Sequence, residues 1–291
     1  MNRKIIELAN TDWRHAPANG GVDPIMALET GKVLYFPAMP FTLNDVEKAF
    51  LTSTILAPKK RNISLDANGK LNGVLLDHEA RYQLAAMLAR FRGCASELIA
   101  SLLPSYSAWL RLAPTSYRPM QVEGRAQSWR ADDRRLHVDA FPSRPNNGER
   151  ILRVFANINP QGLPRVWRIG EPFEEVARRF LPRLKVFSPW QARVMHALHI
   201  TKTRRSEYDH LMLQMHDAMK ADLDYQSKAD QISMAFPAGA VWVCFSDQTS
   251  HAVMSGQFMM EQTFHLPVER QYYPEVHPLA ILRRLTGRIL T

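Results

Sequence analysis

A change of texture near residue 121 constrains the fold more than any other feature of the chain. Upstream, residues 78–103 carry Leu84, Met87, Leu88, Phe91, Leu98 and Leu102 at helical spacing, and the next proline is Pro104. That pattern predicts one long helix. From Gln121 onward, prolines and glycines cut the chain into short apolar segments. Helices first and strands later, with residues 189–229 returning to helix between strand groups, predict an α+β protein with an antiparallel β-core. No glycine-rich phosphate loop follows a strand, which disfavours nucleotide-binding α/β folds.

Smaller segments fill in this outline. Residues 1–30 read as irregular, with Gly20-Gly21 among them. Lys32-Val33-Leu34-Tyr35-Phe36 reads as a strand closed by Pro37, and residues 42–51 as a helix with Asn44-Asp45 near its start. A second helical run is expected over 107–112. Residues 151–158, 165–169, 240–245 and 257–266 read as strands, the third introduced by a turn at Pro237-Ala238-Gly239. The expectation is one domain over residues 1–291. Residues 1–120 would be mainly helical, 121–270 a β-core with a helical insertion at 189–229, and 278–291 a basic amphipathic segment.

The 291 residues are 46% hydrophobic and 22% charged, values of a folded chain and not of a disordered one. Lysine and arginine outnumber aspartate and glutamate by 37 to 28, which favours an anionic partner. A phosphorylated lipid or an acidic sugar fits this balance. Nucleic acid is not expected, because aromatics are not interleaved with the basic residues in a recognised binding motif. Cys94 and Cys244 form neither a zinc pattern nor a disulfide framework. With no cleavage signature at the start and no run of about 20 apolar residues, a cytoplasmic protein, soluble or bound at a membrane surface, is expected.

The chemistry concentrates in His137-Val138-Asp139. In an extended segment residues i and i+2 point to the same side, so one imidazole and one carboxylate can aim at one point. A third ligand has to come from elsewhere. His251 follows an apolar strand and the short polar run Ser246-Asp247-Gln248-Thr249-Ser250, so a rigid element would position it. His265 is its nearest rival. His196, His199, His210 and His216 fall in the helical region, where structural or substrate-facing roles are expected. Two histidines and one carboxylate on one face leave open positions and suit a non-haem iron(II) oxygenase.

The order Pro-x-Gly turn, apolar strand, Ser-Asp-x-x-x-His, downstream of HxD, resembles the 2-oxoglutarate-dependent oxygenases of the double-stranded β-helix (jelly-roll) fold. That resemblance implies such a core, flanked here by N-terminal helices and broken by a helical insertion. It also implies a basic clamp for the cosubstrate's distal carboxylate. Many relatives carry an arginine about ten residues beyond the distal histidine. Here Ser255-Gly256-Gln257-Phe258-Met259-Met260-Glu261-Gln262-Thr263 has none. Other members place the basic residue shortly after HxD, and Arg153 fits that pattern, with Asn157 on the same strand face. Gln262 or Thr263 could add a donor, and Arg165 and Arg168 are reserves. The alternative for Arg153 is an edge-strand surface arginine.

Three further segments narrow the resemblance. They are Gly31-Lys32-Val33-Leu34-Tyr35-Phe36-Pro37, then Asn157-Ile158-Asn159-Pro160 with Pro164-Arg165-Val166-Trp167-Arg168-Ile169-Gly170-Glu171-Pro172, and Tyr208-Asp209-His210-Leu211-Met212-Leu213 with His216-Asp217. Together they are similar to the Kdo 3-hydroxylase family. The resemblance implies hydroxylation at C3 of a Kdo sugar in Kdo-lipid A of the lipopolysaccharide inner core, giving Ko, succinate and carbon dioxide. Iron(II), 2-oxoglutarate and dioxygen are the implied cofactors and cosubstrates, with ascorbate as a reductant. Arg144, Arg204, Arg205, Tyr208 and His210 are expected to contact the substrate, the last four from the helical insertion. The alternative is a solvated basic face. Two other functions stay open: an oxygenase of another anionic small molecule, and a non-catalytic basic metal-binding protein.

Residues 278–291 are apolar and cationic without an acid. As a helix they could lie on an anionic membrane. The alternative is a terminal helix packed on the domain.

Overall fold

Side chains on successive strand residues alternate between the two faces of a sheet, and that alternation decides what each face of this protein does. The structure, a computed structural model, describes residues 4–15, 21–124 and 127–291; Gly20 and residues 1–3 lie outside them. Its strands are β1 (Ile5–Glu7), β2 (Val33–Phe36), β3 (Ile63–Leu65), β4 (Leu71–Asn72), β5 (Arg111–Arg118), β6 (Arg150–Asn157), β7 (Arg165–Ile169), β8 (Ile232–Phe236), β9 (Val241–Phe245), β10 (His251–Ser255) and β11 (Met259–Leu266). Its helices are α1 (Pro24–Glu29), α2 (Asp45–Lys48), α3 (His78–Leu102), α4 (Pro104–Ser107), α5 (Phe173–Phe180), α6 (Pro189–Ala197), α7 (Glu207–Ala221), α8 (Leu223–Lys228) and α9 (Pro278–Thr286). Eight strands form one sheet in the order β1-β2-β9-β6-β11-β5-β3-β4, and three form a second in the order β10-β7-β8. All pairs are antiparallel except β1 with β2. The chain is an α+β protein.

One face of the large sheet packs on α3. Leu152, Val154 and Ala156 of β6, Val241, Val243 and Phe245 of β9, and Met260, Phe264 and Leu266 of β11 share a core with Leu84, Met87, Leu88, Phe91 and Leu98. Full burial of each such side chain stabilises the fold by roughly 1.5–3 kcal/mol. The intervening residues face the other way. Phe155 of β6, Trp242 and Cys244 of β9 and Met259 of β11 meet Trp167, Phe236 and Val253 from the small sheet. Trp242 and Phe236 stack with centroids 4.2 Å apart. The space between the sheets is where the small sheet's edge and the large sheet's polar positions can meet.

Several local expectations give way. Residues 1–120 hold α1 to α4 but also supply β1 to β5, and the first thirty include β1 and α1. The run at 42–51 condenses to α2, which Asn44 and Glu47 close with a reciprocal capping box. Where a helix was expected at 107–112, α4 ends at Ser107, a short turn follows, and β5 begins at Arg111. Strand pairing with β11 and β3 overrides local propensity there. Pro114 is tolerated inside β5 because the ladder to β11 skips at this point, between the Thr115 and Leu112 pairings. The 78–103 helix, the Pro237-Ala238-Gly239 turn with Gly239 at φ 83°, and the strands read at 151–158, 165–169, 240–245 and 257–266 stand to within two residues, whereas β8 and β10 were not expected.

The terminal segment also resolves. Leu279, Ile281 and Leu282 of α9 are buried with Leu136, Val138 and Phe173 in a third apolar cluster. Its cations are engaged, Arg284 with Glu174 at 2.7 Å and Arg288 with Glu207 at 2.6 Å. Leu279, Ile281, Leu282 and Leu290 therefore point into the protein, while Ile289 is exposed. Among the described residues no helix is long and apolar enough to cross a bilayer. Leu282→Ala should lower unfolding stability by about 2–5 kcal/mol in urea denaturation; a change near zero would show that this helix is only loosely attached.

His277 caps α9, its Nδ1 accepting from the Ala280 N–H at 3.2 Å, which only an unprotonated nitrogen can do. Burial, with Arg150 and Arg283 nearby, pushes its pKa down to about 3 from the usual 6.5. As pH falls below 6.5 the unfolded chain gains a proton that the folded chain excludes, so this residue makes stability fall with pH until about pH 3. His277→Asn keeps a cap acceptor without titrating. Urea denaturation at about pH 7 and about pH 5 should therefore show a smaller acid loss for the variant than for wild type.

Candidate metal centre

The segment before β6 is clipped to the first residue of β10. The His137 N–H donates to the His251 carbonyl at 3.0 Å, and the His251 N–H donates to the His137 carbonyl at 2.9 Å. This single antiparallel bridge brings two histidines 114 positions apart in the sequence side by side, their ring centroids 4.6 Å apart. Two residues on, the Asp139 N–H donates to the Ser246 carbonyl at 2.9 Å. Asp139 Oδ1 then lies 3.8 Å from His137 Nε2. One ligand atom from each of His137, Asp139 and His251 lies within 4.8 Å of the others, and among the described residues no other group of three such side chains is so arranged. His265, the rival, stands apart on β11.

The rings are oriented by the backbone. His137 Nδ1–H donates to the Arg135 carbonyl at 2.7 Å, and His251 Nδ1–H donates to the Thr249 carbonyl at 2.8 Å. A carbonyl only accepts, so both Nε2 atoms carry the lone pair that a metal needs. Trp167 stacks on His251 at 5.0 Å and 19°, fixing its plane. Burial, with His251 and Lys220 close by, pushes the pKa of His137 well below its usual value, and burial also lowers that of His251. For Asp139, burial works to raise the pKa, but Arg153, His251 and His137 outweigh it and hold the carboxyl well below its ordinary range. Two neutral imidazoles and one carboxylate fit a divalent iron site with open positions.

The triad faces a cavity of about 500 Å³ between the sheets. Phe141, Phe155, Trp167, Val253, Met259 and Leu213 supply apolar wall. Arg118, Arg130, Arg153 and Arg165 line the same space, with Lys220. Arg118 pairs with Glu261 at 2.8 Å, and Arg153 reaches Glu261 at 3.6 Å and Asp139 at 3.1 Å. Arg165 donates to the Gly256 carbonyl at 3.2 Å.

The other expected cosubstrate residues are placed unevenly. Arg153 lies in the cavity and is buried, not a surface arginine. Thr263 shares its face of β11 with Glu261 and lies one cavity further out. Gln262, being the residue between, points to the other face, where it accepts from Thr115 Oγ1 at 2.6 Å and donates to the Ala113 carbonyl. Asn157 is committed to the Leu163 and Phe236 carbonyls and to the Asn159 N–H. Arg168 donates to the Arg134 and Gln226 carbonyls.

Among the expected substrate residues, Tyr208 is fully buried in the apolar cluster beneath α9. His210 is held at the Lys185 carbonyl at 3.0 Å and does not line the cavity. Arg205 donates to the Pro142 carbonyl at 2.6 Å, and neither it nor Arg204 lines the cavity. Arg144 lies in a neighbouring cavity. Helix α7 does wall the metal cavity, through Leu213, His216, Asp217 and Lys220, which recur at i, i+3, i+4 and i+7. Tyr208 and His210 lie on this helix outside that stripe, and Arg118, Trp167 and Glu261 line the cavity without having been singled out from the sequence. The alternation of Arg165 with Trp167 on a short strand could have flagged Trp167, whereas Arg118 sits on a strand that had been expected to begin as helix.

A two-histidine, one-carboxylate triad between β-sheets, with a cationic cavity beside it, defines a non-haem iron oxygenase class of site. The comparisons then narrow the class. The chain matches the model of the 3-deoxy-D-manno-oct-2-ulosonic acid (Kdo) hydroxylase family over residues 12–289. It is similar to the structure of the Kdo hydroxylase KdoO, a non-heme Fe(II) alphaketoglutarate dependent dioxygenase, in complex with alphaketoglutarate and Fe(III). That match has 43% identity and a TM-score of 0.95, and covers 99% of this chain and 98% of that one. The same enzyme in complex with cobalt(II) matches at 44% identity and TM-score 0.96 over 99% and 97%, and in complex with succinate and Fe(III) at 43% and 0.95 over 99% and 97%. No match was found among curated proteins. The chain belongs to the Kdo hydroxylase family.

His137→Ala or Asp139→Ala should weaken cobalt(II) binding by more than about 100-fold in anaerobic calorimetry while leaving the far-ultraviolet dichroism unchanged. Unchanged affinity in either variant would remove that residue from the metal.

Proposed function

We propose that this chain is an iron(II)- and 2-oxoglutarate-dependent oxygenase that hydroxylates C3 of a Kdo sugar in Kdo-lipid A, giving Ko. The observation that carries this reading is the triad's position on a cationic cavity in a chain of the Kdo hydroxylase family. The two sheets are read as a double-stranded β-helix within one domain, and the work is assigned to the cytoplasmic face of the membrane that holds the glycolipid.

His137, Asp139 and His251 hold the metal, ready without loss of a proton because the imidazoles are neutral and the carboxyl is ionised. Iron(II) held by these three residues would supply the coupling of 2-oxoglutarate oxidation by dioxygen, giving succinate and carbon dioxide, to replacement of a sugar C–H by C–OH. Arg153, with Arg118 and Arg165, offers charge-assisted donors to the carboxylates of the cosubstrate and the acidic sugar. Phe155, Trp167 and Met259 keep water from the reacting carbon. Helix α7 lines the same cavity through Leu213, His216, Asp217 and Lys220 and forms part of the sugar-binding wall.

Incubation with iron(II), 2-oxoglutarate and Kdo-lipid A should release succinate in step with a substrate mass gain of one oxygen. Succinate release with another anionic small molecule and none with Kdo-lipid A would favour a different substrate. Arg165→Ala should raise the KM for 2-oxoglutarate by about 10- to 100-fold with metal affinity retained; an unchanged KM would take Arg165 out of the clamp.

A further inference from the structure

Glu261, Thr263 and His265 succeed one another down one face of β11 and lead from the metal into a second cavity of about 530 Å³. Arg118, Phe141, Pro142, Arg153 and Glu261 line both spaces. The wall they share includes the Phe141-Pro142 lip and the Arg118–Glu261–Arg153 ion chain.

The second cavity is rich in fixed cation. Arg111 and Arg144 join Arg118 and Arg153, against the carboxylates of Glu149 and Glu261. Both acids are already neutralised, Glu149 by Arg111 and Glu261 by Arg118 at 2.8 Å. Arg144 has no carboxylate or hydrogen-bond partner among the described residues. His265 brings a buried Nδ1 that has no partner among the described residues either. Burial, with Arg111 and Arg153, pushes its pKa down to about 4, so at neutral pH the ring is a hydrogen-bonding group without charge. Ser64, Ser116 and Thr263 add hydroxyls.

Unneutralised guanidinium, a neutral imidazole and several hydroxyls around a sugar-sized space are the chemistry of an anionic saccharide site. A small diacid and one sugar are served by the metal cavity and the four arginines that line it. A unit attached to that sugar has the second cavity directly across the shared wall. We propose that this second cavity is a subsite for the unit next to the hydroxylated sugar, with Arg144 taking that unit's anionic group, a carboxylate or a phosphate. The proposal rests on the Kdo reading above.

Steady-state kinetics on three soluble substrates test it: a plain Kdo glycoside, a disaccharide of two Kdo units, and a Kdo glycoside carrying a phosphate. In wild type at least one of the two extended substrates should show a KM about tenfold below that of the plain glycoside. Which of them does so tells carboxylate from phosphate. Arg144→Ala should abolish that advantage and Arg144→Glu should reverse it. The KM values for the plain glycoside and for 2-oxoglutarate should move by less than about twofold in both variants. Equal KM values for all three substrates in wild type, or an advantage that survives Arg144→Glu, overturns the subsite. Turnover of none of them, together with none of Kdo-lipid A, overturns the Kdo reading and the subsite with it.

Discussion

Everything at the metal centre depends on two backbone hydrogen bonds. The exchange of N–H and carbonyl between His137 and His251 fastens an otherwise irregular segment to the edge of the small sheet. Paired residues of an antiparallel ladder carry their side chains on the same side, so the two imidazoles face one point without further adjustment. Asp139 follows by the two-residue period of an extended chain. The Arg135 and Thr249 carbonyls, each two residues before its histidine, then choose the tautomer. The triad is therefore a by-product of main-chain pairing, and its side chains inherit the rigidity of the sheet.

Charge is handled by the same logic of alternation. The inner face of β6 and β11 presents Arg153 and Glu261 where the outer face presents Val154 and Met260. Arg118 on β5 completes a chain of pairs running from Glu261 through Arg153 to Asp139. Buried ions of this kind are weak contributors to stability, but removal of one partner leaves the others stranded. A net excess of guanidinium remains, and it is directed into the two cavities where an anion would otherwise be unwelcome. The basic balance of the whole chain thus has a local expression near the metal.

The parts of this arrangement visible in the sequence are those set by short-range periodicity. The long helix announced itself by its 3.6-residue spacing, and the HxD pair by the two-residue spacing of an extended segment. His251 could be singled out because an apolar strand and a polar turn precede it. Features set by long-range pairing were hidden. β5 carries a proline and starts where a helix had been expected, since only its neighbours β3 and β11 make it a strand. The choice between Gln262 and Thr263 is a question of strand parity, and one residue of register decides it. Tyr208 and His210 lie on the very helix that walls the cavity, but the stripe that does so runs from Leu213 to Lys220. The terminal segment's composition suits a membrane surface and a protein interior equally, and Leu279 and Leu282 went inward.

The ligands of the triad already have partners of their own: a carbonyl behind each imidazole and the Arg153 guanidinium beside the carboxylate. In small zinc-stapled modules the ion is part of the folding reaction. Here the three side chains are positioned by main-chain pairing and by partners within the protein, so their geometry is set by the sheets themselves.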